Sequence, residues 1–215
     1  MTQLRPRQPT KLEMLTPLQL LYKSLLIYGC MGFVGLAVIA FGHKTLTPAL
    51  GIPALPQTVM KLVAIGGLGA GVLLILSYFF EDWFASYRSL KAQVMHLLGP
   101  CSITVGLSLA VLTVFGEELL FRGAIQPFLG LGLTSVLFGL LHMGKDGMVS
   151  AWSLWALLAG LLIGWMYQAT GSLWPCLITH FCVNAVSTLS LRHSYQRWLL
   201  LNQGPEQPRG NDCIP

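Results

Sequence analysis

Three short groups of polar residues stand inside apolar sequence: Glu117, Glu118 and Arg122 in EELLFR, Phe138 and His142 in FGLLH, His180 and Asn184 in HFCVN. An ionised side chain at membrane depth costs about 2.5–3.5 kcal/mol on insertion scales, so a chain that keeps several there uses them. A carboxylate can take a proton from water, an imidazole can accept or donate one, and an amide can donate to a developing oxyanion. Together these groups could supply a base and a donor to an anionic intermediate.

Residues four apart on a helix share a face, so Glu118 meets Arg122 while Glu117 lies about 100° round the axis. The pairing lowers the penalty for burying Glu118 and leaves Glu117 as the candidate base. A solvated interfacial surface, or a purely structural ion pair, competes with this view; apolar residues continuing on both sides oppose it. Of the five histidines, His142 and His180 lie well inside apolar runs, whereas His43, His96 and His193 fall at segment ends or near charged residues. Asn184 follows His180 by one turn on the same face and supplies an amide donor. Phe138, one turn before His142, reads as packing. The chain has no HExxH, no GxSG with a following histidine and no aspartate pair in apolar sequence. Those absences disfavour the usual zinc, serine and aspartyl intramembrane proteases.

The elements that carry these residues follow from composition. Hydrophobic residues make up 54% and charged residues 10% of 215, against about 25% charged in a soluble domain, and the mean hydropathy is +0.66. Residues 18–42, 59–80, 149–169 and 172–190 are apolar runs of spanning length, about 20 residues being enough to cross a hydrocarbon core. Gly99-Pro100 can start a third helix that Pro127 and Gly130 end, and a short fourth segment, 131–143, stops at GKDG (144–147). The expectation is an all-α, polytopic transmembrane bundle of about six helices around a polar intramembrane cavity. Glu81, Asp82 and Trp83 with Arg88 and Lys91 mark a turn, as do Pro48, Gly51, Pro53 and Pro56. Spacings at Gly67/Gly71 and Gly160/Gly164 suggest close helix packing, or ordinary small residues of membrane helices.

Residues 1–17 form a polar N-terminal tail, 18–98 the N-terminal transmembrane helices and 191–215 a polar C-terminal tail. Arg5, Arg7, Lys11 and Lys23, then Arg88 and Lys91, then Arg192, Arg197 and Arg209 favour both tails on the cytoplasmic side, with Lys44 and Lys61 opposite. The formal charge of +5 suits anionic lipid headgroups. No basic cluster with interleaved aromatics argues for nucleic acid. The five cysteines form no CxxC pair, which argues against disulfides and a zinc-thiolate knot.

EELLFRG at 117–123, FGLLH at 138–142 and HFCVN at 180–184, in that order, resemble the EExxxR, FxxxH and HxxxN motifs of the CPBP family, the CAAX protease and bacteriocin-processing (Abi) proteins. The resemblance covers roughly residues 113–188 and makes 99–190 a CPBP-like catalytic core. It implies an intramembrane endopeptidase in which Glu117 and His142 activate water, His180 and Asn184 stabilise the oxyanion, and Glu118, Arg122 and Phe138 support the site. The family is usually described as metallopeptidase, although glutamate general-base chemistry needs no metal. If a divalent ion such as zinc takes part, Glu117, His142 and His180 are its candidate ligands, with Cys176 a further thiolate to consider.

The implied partners are the lipid bilayer and a membrane-bound peptide or protein, in a multi-pass protein for which a prokaryotic plasma membrane is favoured. Two other functions stay open. One is a non-catalytic membrane partner, such as a bacteriocin self-immunity or scaffold protein. The other is a proton-coupled transporter relaying through Glu117, His142 and His180; the lack of paired discontinuous helices in two matching halves weighs against it.

Overall fold

A computed structural model describes residues 16–42, 55–143 and 150–202. The expected loop residues Lys44, Pro48, Gly51 and Pro53, the GKDG stop at 144–147, most of the N-terminal tail and residues 203–215 lie outside the described residues. Within them the chain is helical, without a strand: α1 Pro17–Gly42, α2 Pro56–Trp83, α3 Ala85–Leu98, α4 Ile103–Glu118, a π-helical segment Leu119–Ile125, α5 Gln126–Leu141, α6 Ala151–Thr170 and α7 Trp174–Asn202. Five helical stretches are long and apolar enough to cross a membrane: Pro17–Gly42, Pro56–Trp83, Ile103–Leu141, Ala151–Thr170 and Trp174–Asn202.

The stretch from Ile103 to Leu141 is too long for one crossing: at 1.5 Å per residue it would reach nearly twice the roughly 30 Å of hydrocarbon. It folds back instead. A continuous helix would hold Phe121 and Phe138 about 25 Å apart, yet their ring centroids are 4.9 Å apart. The reversal falls at Gly130, whose φ of 71° and ψ of 174° break the helix, a backbone conformation that costs glycine little. Pro127, expected to help end the helix, is accommodated in the first turn of α5.

Neighbouring residues give the directions. Tyr28, Leu119 and Ile39 stand next to Gly116, Gly35 and Gly123, so α1 runs parallel to α4. α7 runs antiparallel to it, with Thr188 against Gly106 and His180 against Glu118. Arg192 donates to the Cys101 carbonyl at the same end. α1 therefore starts, and α7 finishes, on one side of the bundle. α3 joins that side, its His96 packed edge-on against Trp198 at 4.9 Å between ring centroids.

Three boundaries and one packing spacing differ from expectation. α4 begins at Ile103 because the Ser102 hydroxyl accepts from Val105 N; Gly99 and Pro100 belong to the preceding turn. The expected turn around residues 81–91 is only a one-residue break at Phe84 (φ −114°, ψ 113°), after which α3 begins. Arg88 closes that break by donating to the Glu81 and Asp82 carbonyls at 2.7 and 2.8 Å, which satisfies free acceptors at the end of α2. α7 continues past 190 to Asn202, so residues 191–202 are helix rather than tail. Finally, a side chain at Gly67 or Gly71 would meet nothing within 4 Å, and the α2 glycines that touch neighbours are Gly66 and Gly69.

Candidate active site

α4, the π segment and α5 carry the first two motifs as an antiparallel pair, and α7 brings in the third. Glu117 and Glu118 close α4, both buried, one turn of chain before Arg122. The Glu118 side chain is 0% exposed and accepts from Arg122 Nη1 at 3.3 Å and from His180 Nδ1 at 2.7 Å. A carboxylate has only lone pairs to offer, so Nδ1 of His180 is the donor and Nε2 is the atom left for the site. That Nε2 lies 3.8 Å from Glu117 Oε2. The partner that Glu117 lacks along its own helix thus comes from α7.

His142 sits at the C-terminal end of α5, where helix carbonyls lose their intrahelical donors. Its Nδ1–H donates to the Phe138 carbonyl at 2.7 Å, which fixes the tautomer and leaves Nε2 as an acceptor. Phe138 packs beneath both imidazoles, 4.5 Å from His142 and 6.5 Å from His180 between ring centroids. The Arg122 guanidinium lies 4.8 Å over the same ring, a contact that attracts a cation to the ring face. Arg122 Nη2 also reaches the Gly160 carbonyl at 3.5 Å, and one turn on Gln126 Nε2 donates to the Gly164 carbonyl at 2.8 Å. The Gly160/Gly164 spacing accordingly serves close packing: Ser135 lies against Gly160, and Leu131 and Gln126 against Gly164.

Glu117, Phe138, His142, His180 and Asn184 line one cavity of about 240 Å³. Glu118 and Arg122 lie behind it. The remaining walls come from residues that motif reasoning missed: Tyr28 on α1, Leu73 on α2, Thr113 on α4, and Trp152, Trp155, Ala159 and Ile163 on α6. Trp152 and Trp155 stack with planes 5° apart. Sequence offers no signal for these, because each lies in an ordinary apolar helix.

Glu118 and Arg122 neutralise each other inside the cluster, where a lone ionised carboxylate is costly. Glu117 Oε2 and His180 Nε2 face each other at 3.8 Å.

The conditional metal reading gains no support from this donor set. Among the described residues no three His, Cys, Asp or Glu side chains are arranged to hold an ion. Nδ1 of His180 donates to Glu118 and Nδ1 of His142 to a backbone carbonyl, which leaves Nε2 of each ring for the cavity. Cys176 is fully buried with its thiol on the Ile163 carbonyl and is not part of the cavity wall. The metalloprotease assignment is therefore unsupported by the arrangement of these ligands.

Residues 99–186 match the family model described as Rce1-like, type II CAAX prenyl endopeptidase. Over 141 residues, 64% of this chain and 73% of the relative, the sequence is 28% identical to the uncharacterized protein YpbD of Bacillus subtilis (strain 168). No solved structure matches.

Proposed function

We propose, from the match of residues 99–186 to the Rce1-like type II CAAX prenyl endopeptidase family, consistent with the CPBP family, that this integral membrane protein hydrolyses a peptide bond of a membrane-associated substrate. The observation that carries the proposal is the meeting of Glu117, His142, His180 and Asn184, from three separate helical segments, on one cavity. Water held between Glu117 and His142 Nε2 loses a proton to the Glu117 carboxylate as its oxygen attacks the scissile carbonyl carbon. The tetrahedral oxyanion accepts from His180 Nε2–H and from the Asn184 amide. As the C–N bond breaks, Glu117 passes its proton to the leaving amine. Glu118 keeps His180 oriented, and Arg122 keeps Glu118 ionised.

The side of the bundle that holds the start of α1, the α3 residues Arg88 and Lys91, and the end of α7 with Arg192 and Arg197 is the cationic one. Under the positive-inside rule it faces the cytoplasm of a prokaryotic plasma membrane. The substrate is a membrane-bound protein or peptide whose scissile segment is drawn into the bilayer-embedded cavity.

The test is Glu117→Gln in vesicles, with two internally quenched probes, a prenylated CAAX-type peptide and an unprenylated hydrophobic leader peptide. The amide keeps the shape of the side chain and cannot take the water proton. Cleavage by the parent protein and none by Glu117→Gln, at unchanged melting temperature, is the expected result. Near-parental turnover by Glu117→Gln would remove Glu117 from the role of base.

A further inference from the structure

The cavity is walled partly by a helix outside residues 99–186. Tyr28 projects into it from α1, and Thr113 from α4 one turn before Glu117. Glycine brings the two helices together at this level: a Cβ at Gly116 would lie 2.5 Å from the Tyr28 carbonyl oxygen and 2.9 Å from its Cα. The backbone of Tyr28 thus rests on the residue that immediately precedes Glu117. Its side chain and that of Thr113 line the same cavity as Glu117. Two other tyrosines of the first two helices behave differently: Tyr22 and Tyr78 are 62% and 69% exposed. Membrane-facing tyrosines are common where rings meet the headgroup region. That explanation does not extend to a phenol turned into a cavity with a buried carboxylate.

The proposed reaction leaves a use for one more hydroxyl. The attacking water directs one O–H at Glu117, which takes that proton, and the other at His142 Nε2 as a hydrogen bond, and one lone pair attacks carbon; the second lone pair has no donor. From the wall it shares with Thr113, the Tyr28 O–H can point at that lone pair. We infer that Tyr28, beside Thr113 on the cavity wall, is a positioning residue of the hydrolytic site that fixes the attacking water beside Glu117. This rests on the peptidase reading above. It also makes α1 part of the working site, so the stretch 99–186 is incomplete without it.

The experiment compares Tyr28→Phe, Thr113→Val and the double variant with the parent, in vesicles, on the same two quenched peptides. Tyr28→Phe keeps the ring and loses the hydroxyl, and lowers kcat about tenfold through misplaced water, with KM within about twofold and an unchanged melting temperature. Thr113→Val moves kcat the same way by less, and the double variant is no slower than Tyr28→Phe because Thr113 acts through the phenol. Parental kcat in Tyr28→Phe overturns the inference while leaving the peptidase reading intact. A raised KM at unchanged kcat overturns it too, making Tyr28 a substrate contact, as does a kcat loss that tracks a fall in melting temperature. If the parent cleaves neither peptide, the peptidase reading fails separately, and labelling of Glu117 by the apolar carboxyl reagent dicyclohexylcarbodiimide decides the geometry. Tyr28→Phe then labels severalfold faster by intact mass, since the carboxyl has lost its neighbouring hydroxyl; equal rates overturn the placement.

Discussion

The two sides of the α4–α5 hairpin differ in what polar side chains add to close helix packing. Toward α1 the contact is made of glycine, with Gly116 beneath Tyr28, Gly35 against the Leu119 backbone and Gly123 against Ile39. Toward α6 and α7 the glycine contacts at Gly160, Gly164 and Gly106 are joined by polar side chains: Glu118 to His180, Arg122 to the Gly160 carbonyl, Gln126 to the Gly164 carbonyl. Lipid tails are as apolar as leucine, so helices in a bilayer gain little by hiding apolar surface from one another. They associate through close approach or through hydrogen bonds instead. Glycine contacts fix distance and leave rotation to shape alone, which suffices for a helix that supplies a wall. Hydrogen bonds fix direction, and the polar side is the one that aims Glu118, His180 and the groups that depend on them.

The strongest break of this contrast is Arg122→Ala. Arg122 is 1% exposed and Glu118 0%, so the variant leaves a buried carboxylate short of its counter-charge, a loss of about 3–5 kcal/mol. Detergent unfolding should register that loss together with falling activity; unchanged stability would mean that the polar side is not holding the bundle. Next comes Gly35→Leu. A Cβ there would sit 2.6–2.8 Å from backbone atoms of Leu119 and Leu120, so α1 must move away, at about 1–3 kcal/mol for overpacking. Gly67→Leu serves as its counterpart, since a side chain at Gly67 meets nothing within 4 Å. Helix propensity makes that change neutral to favourable by about 1 kcal/mol, and equal melting shifts for the two glycine variants would erase the distinction.

The smallest effect is expected for Gln126→Leu. It removes the bond to the Gly164 carbonyl and, with it, the Oε1 atom that is buried without a hydrogen-bond partner. The gain and the loss nearly offset, leaving a change within about 1 kcal/mol and near-parental turnover. A collapse of activity in Gln126→Leu would extend the aiming role one turn beyond Arg122.

Fold class was legible in bulk composition, because a chain with so few charges and several apolar runs of spanning length has few ways to satisfy its backbone other than helices. The reversal at Gly130 was legible too, as a glycine following Pro127 at the edge of a short apolar segment. α3 was not: ASYRSLKAQVMHLL mixes charge with small and apolar residues, and its neighbours Glu81 and Asp82 look like a turn until Arg88 is seen capping the end of α2. The π-helical segment left no trace in periodicity, since its residues are those of any apolar helix. In the candidate site, motif spacing pointed to Glu117, His142, His180 and Asn184, and to the pairing of Glu118 with Arg122 one turn along the same helix. The pairing of His180 with both carboxylates was invisible, because it depends on how far α7 is displaced along α4. Tyr28 and the stacked tryptophans were hidden for the same reason, each reaching the cavity through a contact between helices distant in sequence.

The arm of α5 beyond Gly130 has a consequence for biogenesis. At 1.5 Å per residue, Leu131 to Leu141 reaches only about 16 Å, roughly half the thickness of the hydrocarbon core. Such an arm is too short to be threaded across a bilayer by itself and has to enter together with α4 as one hairpin. Its far end, where His142 takes up the Phe138 carbonyl, then waits inside the nascent bundle for α6 and α7. Glu117 meets His180 only when α7, which leaves the ribosome after α1 to α6, has docked. A newly inserted chain therefore carries α4 and α5 in the bilayer before the site is assembled, and whatever hydrolytic capacity the protein has is switched on by the docking of α7.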